Sequence, residues 1–172
     1  MGLMILHYIS GGQRSGKSSY AQNQAISLTE RPVYLATAKN WDEEFNQRIK
    51  RHQSDRDQRW ENIEEQMHLS KLDLQGRVVV LDCITLWLTN IFVAHQSAVA
   101  PSLDFAKEEF ERLAQQSFTL FCISNELGMG LHADTPVGRA FTDLQGWMNQ
   151  YLAKRANTAT LMVSGLPLKL KG

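Results

Sequence analysis

Short apolar runs alternate along the chain with segments in which apolar residues recur at helical spacing. The runs predict strands at 4–10, 32–38, 77–83, 118–124 and 158–165, with a short further strand in PLKLK. The segments of helical period predict helices at 17–27, 41–55, 84–95 and 103–117, and Thr135 followed by Pro136 predicts the start of another. This alternation is typical of an α/β fold with a mostly parallel central sheet flanked by helices.

The composition narrows the classes of function. A length of 172 residues suggests a single domain over 1–172, and 18 Lys and Arg residues balance 18 Asp and Glu residues. This balance argues against a nucleic-acid partner and against binding to an anionic membrane surface. The start of the sequence lacks the features of a secretory signal, and no apolar run is long enough to span a membrane. The expected location is therefore cytoplasmic.

The two cysteines, Cys83 and Cys122, each lie in an apolar run. Such positions predict buried free thiols, although the sequence alone leaves a disulfide between them open. Neither belongs to a CxxC pair or to a Cys/His spacing that would predict a metal site.

The segment GGQRSGKS joins the first predicted strand to the first predicted helix. Its spacing fits the Walker A pattern of a phosphate-binding loop, or P-loop. Glycines let backbone N–H groups turn toward phosphate oxygens, and the helix N-terminus adds a favourable dipole. We expect Lys17 to act in catalysis at the β and γ phosphates, and Ser18 to coordinate Mg²⁺. The expected nucleotide-binding residues here are Gly11, Gly12, Gln13, Arg14, Ser15, Gly16, Lys17 and Ser18.

Asp82 ends the apolar run VVVLD, which is the usual place of a Walker B carboxylate that holds Mg²⁺. The pattern alone also fits a turn residue at the end of a strand. The P-loop favours the metal role. Together the two motifs predict a nucleotide-dependent enzyme or switch.

The segment RIKRHQSDRDQRW sets one histidine among several cations. One helical stripe is predicted to contain Trp41, Phe45, Ile49 and His52. Arg48 and Arg56 flank His52 at four residues on either side, so they would keep its imidazole neutral and would attract a polyphosphate. A neutral imidazole can attack phosphorus, but a core-facing histidine or a solvated basic helix fits the same pattern. On this segment alone, the structural role is favoured.

The chain resembles the bifunctional adenosylcobinamide kinase / adenosylcobinamide-phosphate guanylyltransferase family of cobalamin biosynthesis. The resemblance runs nearly from end to end, through SGGQRSGKSSYA, VYLATA, RIKRHQSDRDQRW, VVVLDCITLWLTN, SNELGMG and the segment from MNQYLAKRA to PLKLK. The P-loop is shared with many proteins, whereas the histidine segment and SNELGMG are more particular. One departure is Asp57, where many relatives have proline.

The resemblance implies two reactions. The enzyme would phosphorylate the aminopropanol hydroxyl of adenosylcobinamide with ATP or GTP. It would then take GMP from GTP onto a histidine, which matches His52, and pass it to the new phosphate to give adenosylcobinamide-GDP. The family's nucleotide contacts match the P-loop and also Ala36, Thr37, Ala38, Gln53, Ser54, Asp55, Arg56, Glu64 and Asp82. A homotrimer with a corrinoid substrate is also implied.

The segment SNELGMG follows the fourth predicted strand and brings Asn125 and Glu126 to the carboxyl edge of the sheet. Glu126 fits either a group that orients substrate or metal, or a surface carboxylate in a connection. The resemblance favours a role in the active site and does not fix which one. A second functional hypothesis stays open at this point: a plain P-loop small-molecule kinase or nucleotide switch in which His52 is structural.

Overall fold

The computed structural model describes residues 3–39 and 57–172. The described residues form the strands Ile5–Gly11 (β1), Val33–Ala36 (β2), Glu61–Glu64 (β3), Val78–Asp82 (β4), Thr119–Asn125 (β5), Thr158–Val163 (β6) and Leu166–Lys171 (β7). They also form the helices Lys17–Leu28 (α1), Ile84–Ala94 (α2), Val99–Leu113 (α3) and Pro136–Arg155 (α4), with a 3₁₀ turn at Leu69–Lys71.

All seven strands belong to one sheet, in the order β3-β2-β4-β5-β1-β6-β7. Every neighbouring pair is parallel except β6 and β7, which are antiparallel. The prediction of an α/β fold with a mostly parallel sheet is confirmed. Because β1 lies between β5 and β6, the P-loop leaves the sheet near its middle, where ligands of open α/β sheets bind.

Both faces of the inner strands β1, β2, β4, β5 and β6 are covered, which explains why these strands read as nearly continuous apolar runs. On one face, α1 packs through Ala21 and Ala25 against a cluster that includes Val80 and Phe121. The other face is covered by α2, α3 and α4, and its largest fully buried side chains are Trp87 and Phe110. Alternate residues of β1, β2, β4, β5 and β6 belong to the two clusters, so these strands pack against both helical layers.

Three elements differ from the sequence predictions. The helix predicted at 103–117 is found at Val99–Leu113. It begins earlier than predicted because Pro101 is tolerated in a first turn where no N–H partner is needed. The edge strand β3 was not predicted, since Glu61–Glu64 is short, polar and largely exposed. The run predicted as one strand to residue 165 ends at Val163, and the PLKLK strand is the antiparallel β7.

The helix predicted at 41–55 lies outside the described residues. Across ranges 3–39 and 57–172, no helix is both long and apolar enough to cross a membrane.

Candidate active site

The P-loop leaves β1 at Gly11 and enters α1 at Lys17, as the Walker A spacing predicts. Gly16 precedes the helix with a φ of 93°, in the left-handed region that L-residues with a side chain rarely adopt. A Cβ atom at Gly11 would lie 2.5 Å from the carbonyl oxygen of Met162. Glycine is therefore required at both ends of the loop, by backbone conformation at Gly16 and by close packing at Gly11.

Lys17 is the first residue of α1, and its side chain folds back over the loop. Its Nζ donates a 2.5 Å hydrogen bond to the carbonyl oxygen of Gly12 and makes a longer contact of 3.4 Å with Oγ of Ser15. Burial lowers the pKa of the Lys17 ammonium. A partly buried cation that lies against the P-loop backbone is well placed to receive phosphate oxygens.

Two hydroxyl groups meet the carboxylate of Asp82 at the end of β4. Ser18 Oγ and the Tyr34 hydroxyl each donate a 2.7 Å hydrogen bond to Asp82 Oδ2. The structure thus brings together the two residues that the sequence assigns to the metal, one from α1 and one from β4. Tyr34 reaches them from β2, and its ring packs edge-on against Trp60 at a centroid distance of 6.1 Å.

The Ser18–Asp82 pair fits Mg²⁺ by its chemistry. Mg²⁺ prefers hard oxygen ligands and is usually held by one or two protein groups together with substrate phosphates and water. A hydroxyl and a carboxylate oxygen 2.7 Å apart at the P-loop supply such a pair. Within the part of the chain that the structure describes, no cluster of three or more His, Cys, Asp or Glu side chains could hold a metal alone.

The turn between β6 and β7 supports the P-loop from the other side. Ser164 and Gly165 have φ angles of 52° and 80°, as in a two-residue type I′ hairpin turn. The Gly165 amide donates a 3.0 Å hydrogen bond to the carbonyl oxygen of Ser15. Its Cα would lie 3.2 Å from a Cβ at Gly16, so the hairpin turn and the P-loop are in direct contact.

The carboxyl ends of β3, β2 and β4 lie in register. Ala36 pairs with Glu64 on one side and with Asp82 on the other, so three of the predicted nucleotide contacts share one edge of the sheet. Thr37 follows Ala36 and is fully buried. Its Oγ1 donates to the Cys83 carbonyl oxygen at 2.7 Å and accepts from the Cys83 amide at 3.0 Å. The Thr37 side chain therefore holds the end of β2 against the end of β4.

Glu126 begins the loop that follows β5 and is attached to the P-loop. Its amide donates a 3.0 Å hydrogen bond to the Gly11 carbonyl oxygen, and its Oε1 accepts from the Gly128 amide at 3.2 Å. Beneath it, Asn149 of α4 accepts from Ser124 at 2.6 Å and donates to the Asn125 carbonyl oxygen at 3.1 Å. These contacts fix the start of the loop beside the phosphate-binding segment.

A comparison with protein families shows the enzyme family to which this site belongs. The model of the family described as cobinamide kinase / cobinamide phosphate guanyltransferase matches residues 7–170. The chain belongs to this family. Its activities are therefore those of a cobinamide kinase and guanyltransferase, and nucleotides are substrates of both.

Relatives of this kinase and guanyltransferase are similar to it in sequence over nearly the full length of both chains. The bifunctional adenosylcobalamin biosynthesis protein CobP of Pseudomonas aeruginosa is 35% identical over 169 residues, covering 95% of this chain and 96% of the relative. The bifunctional adenosylcobalamin biosynthesis protein CobU of Escherichia coli K12 is 34% identical over 184 residues, covering 98% and 100%. The flagellar accessory protein FlaH of Methanocaldococcus jannaschii, a solved structure, is 16% identical with a TM-score of 0.48, covering 97% of this chain and 78% of that chain.

Part of the predicted site of this kinase and guanyltransferase lies outside the described residues. This part comprises the proposed nucleophile His52 and the proposed contacts Gln53, Ser54, Asp55 and Arg56. Their roles stay predictions.

The structure also adds residues that the sequence analysis missed. Tyr34 was hidden inside an apolar strand, although it lies two positions from Ala36 and so on the same face of the sheet. Gly165 was read as part of a strand, although a Ser-Gly pair between apolar runs is a signal for a hairpin turn.

Proposed function

We propose that the chain acts on adenosylcobinamide in two steps, with His52 as the nucleophile of the second. The observation that carries the proposal is the meeting of Ser18 with Asp82 at the P-loop, in a chain that the family model matches over 7–170. The family describes the two activities, and the P-loop geometry supplies a site for the triphosphate. The corrinoid substrate and the cytoplasm as the location follow from the family resemblance.

In the first step, the hydroxyl of the aminopropanol arm attacks the γ-phosphorus of ATP or GTP. The bond from that phosphorus to the β–γ bridging oxygen breaks, and the hydroxyl proton is released to water. Lys17 and the backbone amides of the P-loop bind the phosphate oxygens as negative charge moves onto the leaving nucleoside diphosphate. Ser18 and Asp82 would hold Mg²⁺, which neutralises phosphate charge when bound.

In the second step, a ring nitrogen of His52 attacks the α-phosphorus of GTP, and pyrophosphate leaves. The product is a phosphoramidate that joins GMP to the histidine. An oxygen of adenosylcobinamide phosphate then attacks the same phosphorus, the N–P bond breaks, and the imidazole is released with adenosylcobinamide-GDP. Arg48 and Arg56 would keep the imidazole neutral before the attack.

Labelled GTP tests this proposal. The protein is incubated with α-labelled GTP and Mg²⁺ and then denatured, and the covalent label is followed through acid and alkali treatment. A phosphoramidate hydrolyses in acid and survives alkali, so the label should disappear in acid and resist base. γ-Labelled GTP should leave no guanylyl adduct. His52→Asn should fold and bind nucleotide but take no GMP.

The Lys17→Ala variant tests whether the kinase activity depends on this side chain while the fold does not. It should lose cobinamide phosphorylation while its circular dichroism spectrum stays native.

Acid-labile label at the wild-type level on His52→Asn would mean that another histidine is the nucleophile. A protein that phosphorylates cobinamide but never takes GMP would instead be a plain P-loop kinase with a structural His52.

The family resemblance also implies a homotrimer. Sedimentation velocity of the full chain tests this directly, with a trimer as the expected species and a concentration-independent monomer as the contrary result.

A further inference from the structure

Three large apolar side chains are exposed on the loop between β5 and α4. Leu127, Met129 and Leu131 are 37%, 78% and 99% exposed. We call these three residues the apolar tip. Single exposed apolar side chains are common on protein surfaces, whereas several together indicate a surface that binds something.

The loop that carries the apolar tip is held at both ends. At its start, the Glu126 amide bonds to the Gly11 carbonyl oxygen of the P-loop at 3.0 Å. At its end, Nη1 of Arg139 donates to the carbonyl oxygens of Ala133 and Asp134 at 2.9 and 3.1 Å. The loop therefore starts at the carboxyl edge of the sheet beside the phosphate-binding segment, and the apolar tip follows within five residues of that anchor.

The kinase reaction limits where the second substrate can lie. Its hydroxyl must come within about 3–3.5 Å of the γ-phosphorus, which the P-loop holds. Cobinamide is far larger than this hydroxyl-bearing arm, so its corrin ring must rest on surfaces next to the P-loop. The corrin ring carries many methyl groups on its periphery and is therefore suited to an apolar surface.

The charge and backbone of the loop suit the same ligand. Residues 126–134 contain Glu126 and Asp134 but no Lys or Arg, and adenosylcobinamide carries a net positive charge on its cobalt corrin. No neighbouring atom lies within 4 Å of the Cβ position at Gly130, so the backbone there is open to the amide side chains of the corrin.

We propose that the apolar tip is the docking surface for the corrin ring of cobinamide. This assignment rests on the proposed function, because it takes cobinamide as the substrate that the P-loop phosphorylates. Leu127, Met129 and Leu131 contact the apolar periphery of the ring, and the P-loop receives its aminopropanol arm.

The test is the double variant Met129→Ser/Leu131→Ser in the full chain. Its affinity for cobinamide is measured without nucleotide, by calorimetry and by the visible absorption of the corrin. The dissociation constant and the KM for cobinamide should rise about tenfold or more, since burying one large apolar side chain is worth at least that factor. The KM for ATP and GTP should stay unchanged, because neither substituted side chain belongs to the P-loop.

Leu28→Ser is the matched control. Leu28 is 57% exposed, but it ends α1 and therefore lies at the opposite edge of the sheet from the P-loop. It removes a similar apolar side chain from the surface and should leave cobinamide binding unchanged. If the double variant lowers the melting temperature, Leu131→Ser alone replaces it, because a side chain that is 99% exposed supports no packing.

Wild-type cobinamide affinity in a folded double variant would overturn the proposal. If that variant also shifted from oligomer to monomer on sedimentation, the apolar tip would be a contact between copies of the chain. A wild-type chain that binds GTP but neither binds nor phosphorylates cobinamide would instead refute the proposed function, and this assignment with it.

Discussion

Ser18 and Asp82 are 64 positions apart in the chain, yet Ser18 Oγ donates a 2.7 Å hydrogen bond to Asp82 Oδ2. The contact joins the first turn of α1 to the end of β4. It depends on the sheet order, which places β4 two strands from β1 with β5 between them. The pair is the strongest structural support for a magnesium–nucleotide site.

Asp82→Asn should lower the kcat/KM of cobinamide phosphorylation by roughly 100-fold, since the amide keeps the size of the side chain but lacks the charge that binds Mg²⁺. Raised Mg²⁺ or Mn²⁺ should restore part of the activity. Asp104→Asn, an exposed aspartate of α3, serves as the control and should have no effect. Unchanged activity of Asp82→Asn across a metal titration would make Asp82 a strand-end residue only.

Tyr34→Phe should weaken the metal site without disturbing the packing against Trp60. The substitution removes only the hydroxyl that donates to Asp82 Oδ2, so the carboxylate loses one of the two hydroxyl groups that contact it among the described residues. We expect Mn²⁺ binding in the presence of a non-hydrolysable GTP analogue, followed by electron paramagnetic resonance, to weaken about tenfold.

Tyr151→Phe is the matched control for Tyr34→Phe. It removes a hydrogen bond between a tyrosine hydroxyl and a carboxylate, that of Glu111, away from the P-loop. Equal Mn²⁺ affinities of wild type and Tyr34→Phe would show that the Tyr34 hydroxyl has no part in metal binding.

Gly165→Ala should weaken nucleotide binding through the hairpin turn. Alanine at a φ of 80° costs about 1 kcal/mol and shifts the turn whose amide holds Ser15. Gly76→Ala is a stringent control, because Gly76 has a φ of 73° and equally open space around its Cβ position. Both variants should lose a few degrees of melting temperature, and only Gly165→Ala should bind GTP less tightly. Equal GTP affinity in both variants would show that the hairpin turn has no part in nucleotide binding.

The thiols of Cys83 and Cys122 should not react with a disulfide reagent in the native protein at pH 8. Both are buried and free, as the sequence predicted. Burial raises the pKa of the Cys83 thiol to about 12 and raises that of Cys122 as well, so the reactive thiolate is scarce at pH 8. Both should react fully in guanidinium chloride. Native reaction of either thiol at the rate of free cysteine would contradict their burial.

Local sequence was enough to predict the elements whose signal lies within a few residues. The Walker A spacing predicted the P-loop and the start of α1 at Lys17, and the apolar runs predicted the strands that are buried on both faces. Asp82 could be predicted as a metal ligand because it ends such a run in a chain that also contains a P-loop motif.

The missed features depend on contacts between distant segments or on weak local signals. The bond between Tyr34 and Asp82 exists only because β2 and β4 are neighbours, which no local pattern specifies. The edge strand β3 has one partner and an exposed, polar surface, so Glu61–Glu64 carries no apolar run. The hydrogen bond from Gly165 to Ser15 requires the hairpin to return to the P-loop.

The central position of β1 has a consequence for synthesis on the ribosome. The amide of Leu6 bonds to the side chain of Asn157, 151 positions later, and both partner strands of β1 come from the second half of the sequence. While the chain is being made, its first strand is therefore an unpaired apolar segment until β5 and β6 have emerged. The phosphate-binding loop can reach its working shape only after that point, so GTP cannot stabilise the early nascent chain.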